Sequence, residues 1–142
     1  MADTSGHALV VWNGRKFRRI TGKVFTPEKD KTKLSIAGEE FQLGDGIQGI
    51  ALSPRSLDYN RYLVFRPFAS YSMYMVNTKD LLYRPIDQIL YNKAKDILQG
   101  HASAMSIAFD NTLLYGAVEQ TGINCFDMKS DFNDSKKHVS YI

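Results

Sequence analysis

Residues 45–78 contain three consecutive strand-like stretches joined by short turns, and this order constrains the fold more than any other feature. The stretch from Ile47 to Leu52 is almost wholly apolar or small, as is typical of a strand covered on both faces. Ser53-Pro54 ends it, because proline cannot continue a hydrogen-bonded ladder. After a turn over 55–60, residues 61–67 and 70–77 are rich in aromatic and β-branched side chains. The pattern predicts an antiparallel meander.

The same order recurs between residues 102 and 127. A small-residue strand over 102–109, a turn at 110–112 and two further strands, 113–118 and 123–126, repeat the first unit. A period of about fifty residues, with a small-residue strand first in each unit, fits propeller blades better than a sandwich. A Greek-key sandwich is the alternative. We therefore expect an all-β chain made of two to three blades of a β-propeller.

The remaining segments predict hairpins and connections. Ala8–Ile20 carries Asn13-Gly14 between two strands, which indicates a hairpin. Residues 23–32 are polar and predict a long loop, and residues 34–43 predict a second small hairpin. Residues 79–82 predict one helical turn. Apolar residues at helix-like spacing then mark the following connection; they are Ile86, Ile89, Leu90 and Ala94.

Composition and motifs argue against several functional classes. With 44% hydrophobic residues and a net charge of +3, the chain has enough apolar material for a core. Its basic residues are scattered, so we expect no nucleic-acid partner. No apolar run approaches membrane-spanning length, so we expect no membrane association. The three histidines are too far apart for a local metal site, and we expect neither a metal nor a cofactor; they are His7, His101 and His138.

Several motifs carry a resemblance to a known family. Asp45-Gly-Ile-Gln-Gly-Ile-Ala-Leu-Ser-Pro54, Arg61-Tyr-Leu63, Val76-Asn-Thr78, Gly100-His101 and Ile123-Asn-Cys-Phe126 resemble the yellow / major royal jelly protein family. Thr21-Gly-Lys-Val-Phe25 and Asp80-Leu-Leu82 are most similar to the yellow-related salivary proteins of blood-feeding sand flies. The resemblance spans nearly the whole chain.

The resemblance implies a six-bladed β-propeller of which this chain is an internal fragment. The expected divisions are a partial blade at 1–43, a blade at 44–82, a connection at 83–101 and a blade at 102–142. The resemblance also implies secretion. The N-terminus lacks the basic and apolar regions of a signal peptide, and we attribute this to truncation.

The salivary relatives imply binding and sequestration of biogenic amines such as serotonin, histamine and catecholamines in a central channel, which would counter host haemostasis and inflammation. An aromatic amine needs an apolar slot, a ring to contact and polar acceptors. The expected ligand-binding residues are Asn124, Phe126, Glu119, Ser103 and Phe68. A core position is the alternative for both phenylalanines, and turn capping is the alternative for Asn124.

Two other functional classes stay open. Some relatives imply dopachrome conversion in melanin synthesis, a reaction that needs a general base. The candidate bases are Glu119, His101 and Asp45, although none of them belongs to a local group of catalytic residues in the sequence. Royal-jelly members imply a nutritive or structural secreted protein. A binding protein without catalytic residues, monomeric in its full-length form, is the favoured interpretation.

Two residues are candidates for covalent modification. Cys125 is the single cysteine and matches a family cysteine, so a disulfide to a partner outside the fragment is favoured over a buried free thiol. Asn133-Asp-Ser135 is a glycosylation sequon in a polar stretch, and Asn133 is therefore a candidate for glycan attachment.

Overall fold

The computed structural model describes residues 1–56, 59–94 and 97–141. Two residues of the predicted turn at 55–60 and two residues of the predicted connection at 83–101 lie outside the described residues, as does residue 142. In the described part of the chain, 45% of residues are in strands and 13% are helical. The expectation of an all-β chain is confirmed.

The strands form four antiparallel sheets. The first sheet contains β1 (Ala2–Asp3), β2 (Ala8–Trp12) and β3 (Phe17–Thr21), and a separate hairpin contains β4 (Lys33–Ile36) and β5 (Glu39–Gln42). The central sheet contains β6 (Ile47–Leu52), β7 (Tyr62–Pro67), β8 (Met73–Asn77) and β9 (Asn92–Ala94). The last sheet contains β10 (Ala102–Ile107), β11 (Thr112–Ala117), β12 (Gly122–Asp127) and β13 (His138–Tyr141). Both four-stranded sheets are meanders in which consecutive strands pair.

Both predicted hairpins form, and their turns show why. In the hairpin of β2 and β3, Asn13 Oδ1 accepts hydrogen bonds from the amides of Arg15 and Lys16, at 3.0 Å each. In the hairpin of β4 and β5, Ala37 and Gly38 have φ angles of 51° and 87°. Two consecutive positive φ angles are the geometry of the two-residue turn that matches strand twist.

The helical content lies in short pieces between the strands. The helix α1 (Thr78–Tyr83) includes the helical turn expected at 79–82, and Asn77 caps it by accepting from the Lys79 amide at 2.9 Å. The other pieces are 3-10 turns at Lys23–Phe25, Lys29–Lys31, Ile86–Gln88 and Ser135–Lys137. No helix in the described ranges is both long and apolar enough to cross a bilayer.

The central sheet is covered on both faces along β7 and β8, whereas β6, for which the sequence predicted this coverage, alternates between buried and exposed residues and leaves Leu52 48% exposed. On one face Leu63, Phe65 and Val76 pack against Leu9 and Ile20 of the first sheet. On the opposite face the core shared with the last sheet contains Ala51, Val64, Met73, Leu113, Tyr115 and Phe126. Three sheets are therefore stacked face to face, with the central one in the middle.

The first strands of the two meanders lie beside each other. A Cβ atom on Gly49 of β6 would come within 2.7 Å of Met105 Cγ in β10. This distance is too short for a side chain, so glycine permits the close approach. The small residues that open each repeat therefore serve the contact between neighbouring sheets.

The segment predicted as a connection at 83–101 differs from that expectation. Its apolar spacing suggested a helix, but between Arg84 and Ala94 the structure has the 3-10 turn Ile86–Gln88 and then β9, which pairs with β8. The strand has three residues, of which only Ala94 is buried. A strand this short carries too little alternation to be recognised, and pairing with β8 overrides the helical spacing.

The outer face of the last sheet predicts self-association of the chain. Leu114, Ile123 and Val139 lie on this face and are 40%, 56% and 47% exposed. Exposed apolar sheet faces favour association. We expect the weight-average mass in sedimentation equilibrium to rise with concentration, and Ile123→Glu to reduce this rise. Leu90→Glu is the matched control, since Leu90 is 72% exposed but lies outside this face. A wild-type chain that stays monomeric at every concentration would contradict the expectation.

Candidate functional site

A cleft of about 380 Å³ opens where β11, β12 and β13 meet the segment before β10. Cross-strand pairing creates it, because Tyr115 lies opposite Asn124, which lies opposite Ser140. Side chains directly opposite each other in neighbouring strands point to the same side of a sheet. The cleft is lined by Ile97, Leu98, Gln99, Tyr115, Gln120, Asn124, Lys136, His138 and Ser140.

Asn124 is the predicted site residue that the structure places in this cleft. Its side-chain carbonyl oxygen is buried and has no hydrogen-bond partner among the residues that the structure describes. Its side chain also interacts with the Tyr115 hydroxyl, and this contact tends to lower the pKa of that hydroxyl. A buried acceptor without a donor costs free energy, and a donor supplied by a ligand would remove that cost.

Tyr115 and His138 form the polar wall beside Asn124. The Tyr115 hydroxyl lies 2.9 Å from His138 Nδ1. Burial raises the pKa of Tyr115 to about 12, so the phenol stays protonated at neutral pH. Burial likewise lowers the pKa of His138 to about 4, although the Phe132 backbone and the Asp134 carboxylate act in the opposite direction. His138 is thus neutral at pH 7 and brings no positive charge to the cleft.

Phe126 is not placed in the cleft. Its side chain is 0% exposed, stacks on the His138 ring with centroids 4.2 Å apart, and meets the Phe132 ring edge-on at 5.9 Å. It faces the core between the central and last sheets, because its position in β12 is two residues from Asn124 and further along the same face. The structure therefore favours the core alternative for Phe126.

Three other predicted ligand-binding residues also lie elsewhere. Glu119 accepts the His101 amide hydrogen at 2.7 Å with one oxygen and contacts His101 Nδ1 with the other. Ser103 lies opposite Gly116 and faces away from the cleft. Phe68 is 4% exposed and packs on the His101 ring, with centroids 5.2 Å apart. Glu119 does line a small pocket next to the cleft, together with Tyr115 and Asn124, whereas strand alternation turns Ser103 to the opposite face of the last sheet.

Comparison with known proteins identifies the family. Residues 1–140 match the family described as Major royal jelly protein. The chain belongs to the major royal jelly protein family. Among its relatives in Apis mellifera, major royal jelly protein 9 is 34% identical over 131 residues, which is 89% of this chain and 30% of the relative. Major royal jelly protein 7 is 30% identical over 131 residues, with 89% of this chain and 29% of the relative covered.

This major royal jelly family member spans between 21% and 30% of the length of the Apis mellifera relatives that it matches. Major royal jelly protein 1 gives the same picture, with 32% identity over 131 residues and 29% of its length covered. The predicted resemblance to the family is thus confirmed at family level.

The candidate general bases of the enzymatic alternative are engaged inside the protein. His101 is 1% exposed, and its two ring nitrogens contact Glu119 and the Lys31 carbonyl. Asp45 Oδ2 accepts a hydrogen bond from Gln48 Nε2 at 2.7 Å. In the described part of the chain no group of three or more histidine, cysteine or acidic side chains is placed to hold a metal ion.

Sequence reasoning missed Tyr115, His138 and Ser140 as cleft residues. Tyr115 could have been found by pairing β11 with β12 as a hairpin, because this places Tyr115 opposite Asn124 and paired residues point to the same face. His138 and Ser140 lie in β13, which follows a 3-10 turn in a polar stretch and gives no clear strand pattern. The cleft therefore depends on long-range pairing.

His138 predicts how stability depends on pH. Its pKa is about 4 in the folded chain and near 6.5 in the unfolded chain, so between these values the unfolded state binds more protons. The free energy of unfolding should therefore fall as the pH is lowered from about 6.5 to 5. We expect His138→Phe to reduce this slope in urea unfolding, whereas the control His7→Gln should leave it unchanged. Equal slopes for wild type and His138→Phe would contradict the assignment.

Proposed function

We propose that this chain is part of a secreted protein that binds small aromatic amines, with the cleft beside Asn124 as the binding site. The supporting observation is the buried, unpartnered Asn124 carbonyl oxygen at the cleft wall. An ammonium group or a ring hydroxyl of such a ligand would donate to this oxygen. Ile97 and Leu98 supply an apolar side for the ring.

The protonation state of the cleft is compatible with a cationic ligand. Neutral His138 does not repel an ammonium group, and its hydrogen-bonding ring faces the same space as the Tyr115 hydroxyl. Lys136 is the one cation among the described side chains that line the cleft, and it is exposed. Exposed charges are screened by water and salt, so its repulsion is weak. We therefore place the ammonium group at Asn124 and the ring towards Leu98.

We extend the same proposal to the position of this chain within the family. A yellow-related salivary protein of the sand-fly type would sequester serotonin, histamine or catecholamines. The full-length protein would be a monomeric six-bladed propeller, and the three stacked sheets with adjoining first strands support that architecture. The proposal rests on the Asn124 cleft, and no observation in the described residues favours dopachrome conversion or a nutritive role over it.

Two modifications would accompany secretion. Asn133 is exposed on the turn before β13, which suits glycan attachment. Cys125 is a free thiol, half-buried on the outer face of the last sheet between Leu114 and Val139. A disulfide to chain lying beyond residues 1–142 stays a prediction. Both are part of the proposed extracellular location.

Isothermal titration calorimetry of the chain with serotonin tests the proposed function. Asn124→Ala should weaken binding by about 1 to 2 kcal/mol, since it removes one hydrogen bond to the ligand. Asn92→Ala is the matched control, because Asn92 is exposed on β9 and does not line the cleft. Equal affinities for wild type and Asn124→Ala would contradict the site. Conversion of dopachrome by the wild-type chain would favour the enzymatic alternative.

A further inference from the structure

The turn between β2 and β3 carries a pair of residues that the proposed function does not use. Asn13-Gly14 is the single asparagine–glycine step in the chain, and both residues are exposed. Gly14 has a φ angle of 93°, and a Cβ atom built on it would meet no atom within 4 Å outside the adjoining residues. The backbone nitrogen after Asn13 is therefore not crowded by a side chain of its own residue, unlike the nitrogen after every other asparagine.

The Asn13 side chain folds back along this turn. The amides of Arg15 and Lys16 both donate to its Oδ1 at 3.0 Å. Gly14 lies between Asn13 and these two donors, so the carboxamide lies alongside the Gly14 peptide unit. No residue in the described ranges accepts a hydrogen bond from the Gly14 amide. The Gly14 nitrogen is thus free to approach the side chain that precedes it.

This arrangement favours an intramolecular reaction between the two residues. The attacking nitrogen belongs to Gly14 and the attacked carbon is Asn13 Cγ, so both reactants are held in one turn. As the new bond forms, negative charge develops on Asn13 Oδ1, and two backbone amides already donate to that atom. Donors aimed at a developing oxyanion lower the barrier to its formation. The turn therefore supplies its own oxyanion hole.

The reaction is a deamidation that needs only water. The Gly14 nitrogen loses its proton to solvent and bonds to Asn13 Cγ, the bond from Cγ to the side-chain nitrogen breaks, and ammonia leaves. Water then opens the resulting five-membered imide at one of its two carbonyl carbons. Opening at one carbon gives aspartate, and opening at the other gives isoaspartate, in which the main chain runs through Cβ.

The charges near the turn favour the negatively charged product. Arg15 and Lys16 follow directly and are exposed. The sequence has no acidic residue between Asp3 and Glu28. A carboxylate at position 13 would therefore lie among positive charges, which stabilise it.

We propose that Asn13 is a modification site at which the folded turn promotes spontaneous conversion of asparagine to aspartate and isoaspartate. Aspartate keeps the length of the main chain and still accepts from the two amides. Isoaspartate adds one carbon to the main chain beside Trp12, which pairs with Phe17 across the hairpin. The product thus changes the charge of the turn and, in the second form, its backbone. The site is independent of the amine-binding cleft.

Peptide mapping by mass spectrometry of the whole chain, sampled during incubation at mildly alkaline pH, tests the proposal. Asn13 should convert about tenfold faster in the folded chain than in urea, a smaller gain than an enzyme's oxyanion donor gives because water reaches the turn. Asn92 is the internal control, since it is exposed but lies in the extended strand β9. It should convert more slowly in the folded chain than in urea.

Gly14→Ala should slow the conversion of Asn13 several-fold, because a methyl group crowds the attacking nitrogen and alanine disfavours a positive φ angle. Gly38→Ala is the matched control: Gly38 has a φ angle of 87° in the other hairpin, and its replacement should leave the Asn13 rate unchanged. Should Gly14→Ala fail to fold, the wild-type comparison still decides. Asn13 that converted no faster folded than in urea would overturn the proposal, as would a rate in folded Gly14→Ala equal to that of wild type.

Discussion

Replacing Arg66 by methionine is expected to lower the free energy of unfolding by about 3 to 5 kcal/mol, because several buried carbonyl oxygens would each lose a charged hydrogen-bond donor. The side chain is 0% exposed. Its guanidinium donates to the carbonyls of Pro67, Phe68 and Ser70 at 3.0, 2.7 and 2.8 Å, and it also contacts the Ala102 carbonyl. Methionine has similar length but no donors, so four carbonyl oxygens would lose the guanidinium, although the Phe68 carbonyl would still accept from the Ser70 amide at 2.9 Å.

The position of Arg66 explains the size of this effect. Ala102 begins β10, whereas Pro67 ends β7 and Phe68 and Ser70 belong to the turn between β7 and β8. One guanidinium therefore connects the central sheet to the last sheet. Burial lowers the pKa of Arg66 to about 9, which leaves the group charged at pH 7. Arg66→Lys should be intermediate, because an ammonium group cannot reach all four oxygens from one point.

Urea unfolding followed by far-ultraviolet circular dichroism measures the difference, at concentrations where wild type is monodisperse. Arg18→Met is the matched control. Arg18 donates to the Leu81 and Arg84 carbonyls but is partly exposed, so its loss should cost only about 1 kcal/mol. If Arg66→Met were as stable as Arg18→Met, the bridging role of the guanidinium would be wrong.

Phe126→Ala is expected to destabilise the chain by about 3 to 5 kcal/mol, as is usual for a buried phenylalanine. The ring is 0% exposed and contacts both His138 and Phe132. This expectation differs from that for a ligand-binding phenylalanine, whose removal would weaken binding with little effect on the melting temperature. Thermal unfolding of Phe126→Ala therefore separates a core role from a ligand-contact role.

Phe109→Ala is the control for this comparison. Phe109 is 99% exposed, so the same change of residue type should alter the melting temperature little. If Phe126→Ala had the same melting temperature as wild type but bound serotonin more weakly, Phe126 would have to be assigned to the binding site. A much lower melting temperature of Phe126→Ala would support the assignment of Phe126 to the core.

Much of the secondary structure could be predicted because it is encoded locally. Gly14 and Gly38 specify their turns through positive φ angles that glycine adopts readily, and Asn13 adds hydrogen bonds to the following amides. The apolar stretch Ile47–Leu52 is correctly predicted as a strand, but its residues alternate between buried and exposed, and the coverage of both faces is found on β7 and β8. The recurrence of the same order after Ala102 predicted a second meander.

The site was harder to predict because its members meet only through tertiary structure. Asn124 and Phe126 share a face of β12, yet one lines the cleft and the other is in the core. Alternation gives the face of a strand but not what packs on it. The contact between His101 and Lys31 joins residues seventy positions apart, and neither lies in a motif that indicates the other.

The most direct test of the amine-binding cleft is an NMR titration that follows the side-chain amide signals of asparagine as serotonin is added. The proposed function predicts that the Asn124 signal shifts in a saturable manner, at the affinity measured by calorimetry, while that of Asn92 stays constant. If the calorimeter detected binding and the Asn124 signal did not move, the amine would bind elsewhere and the assignment of the cleft would be contradicted.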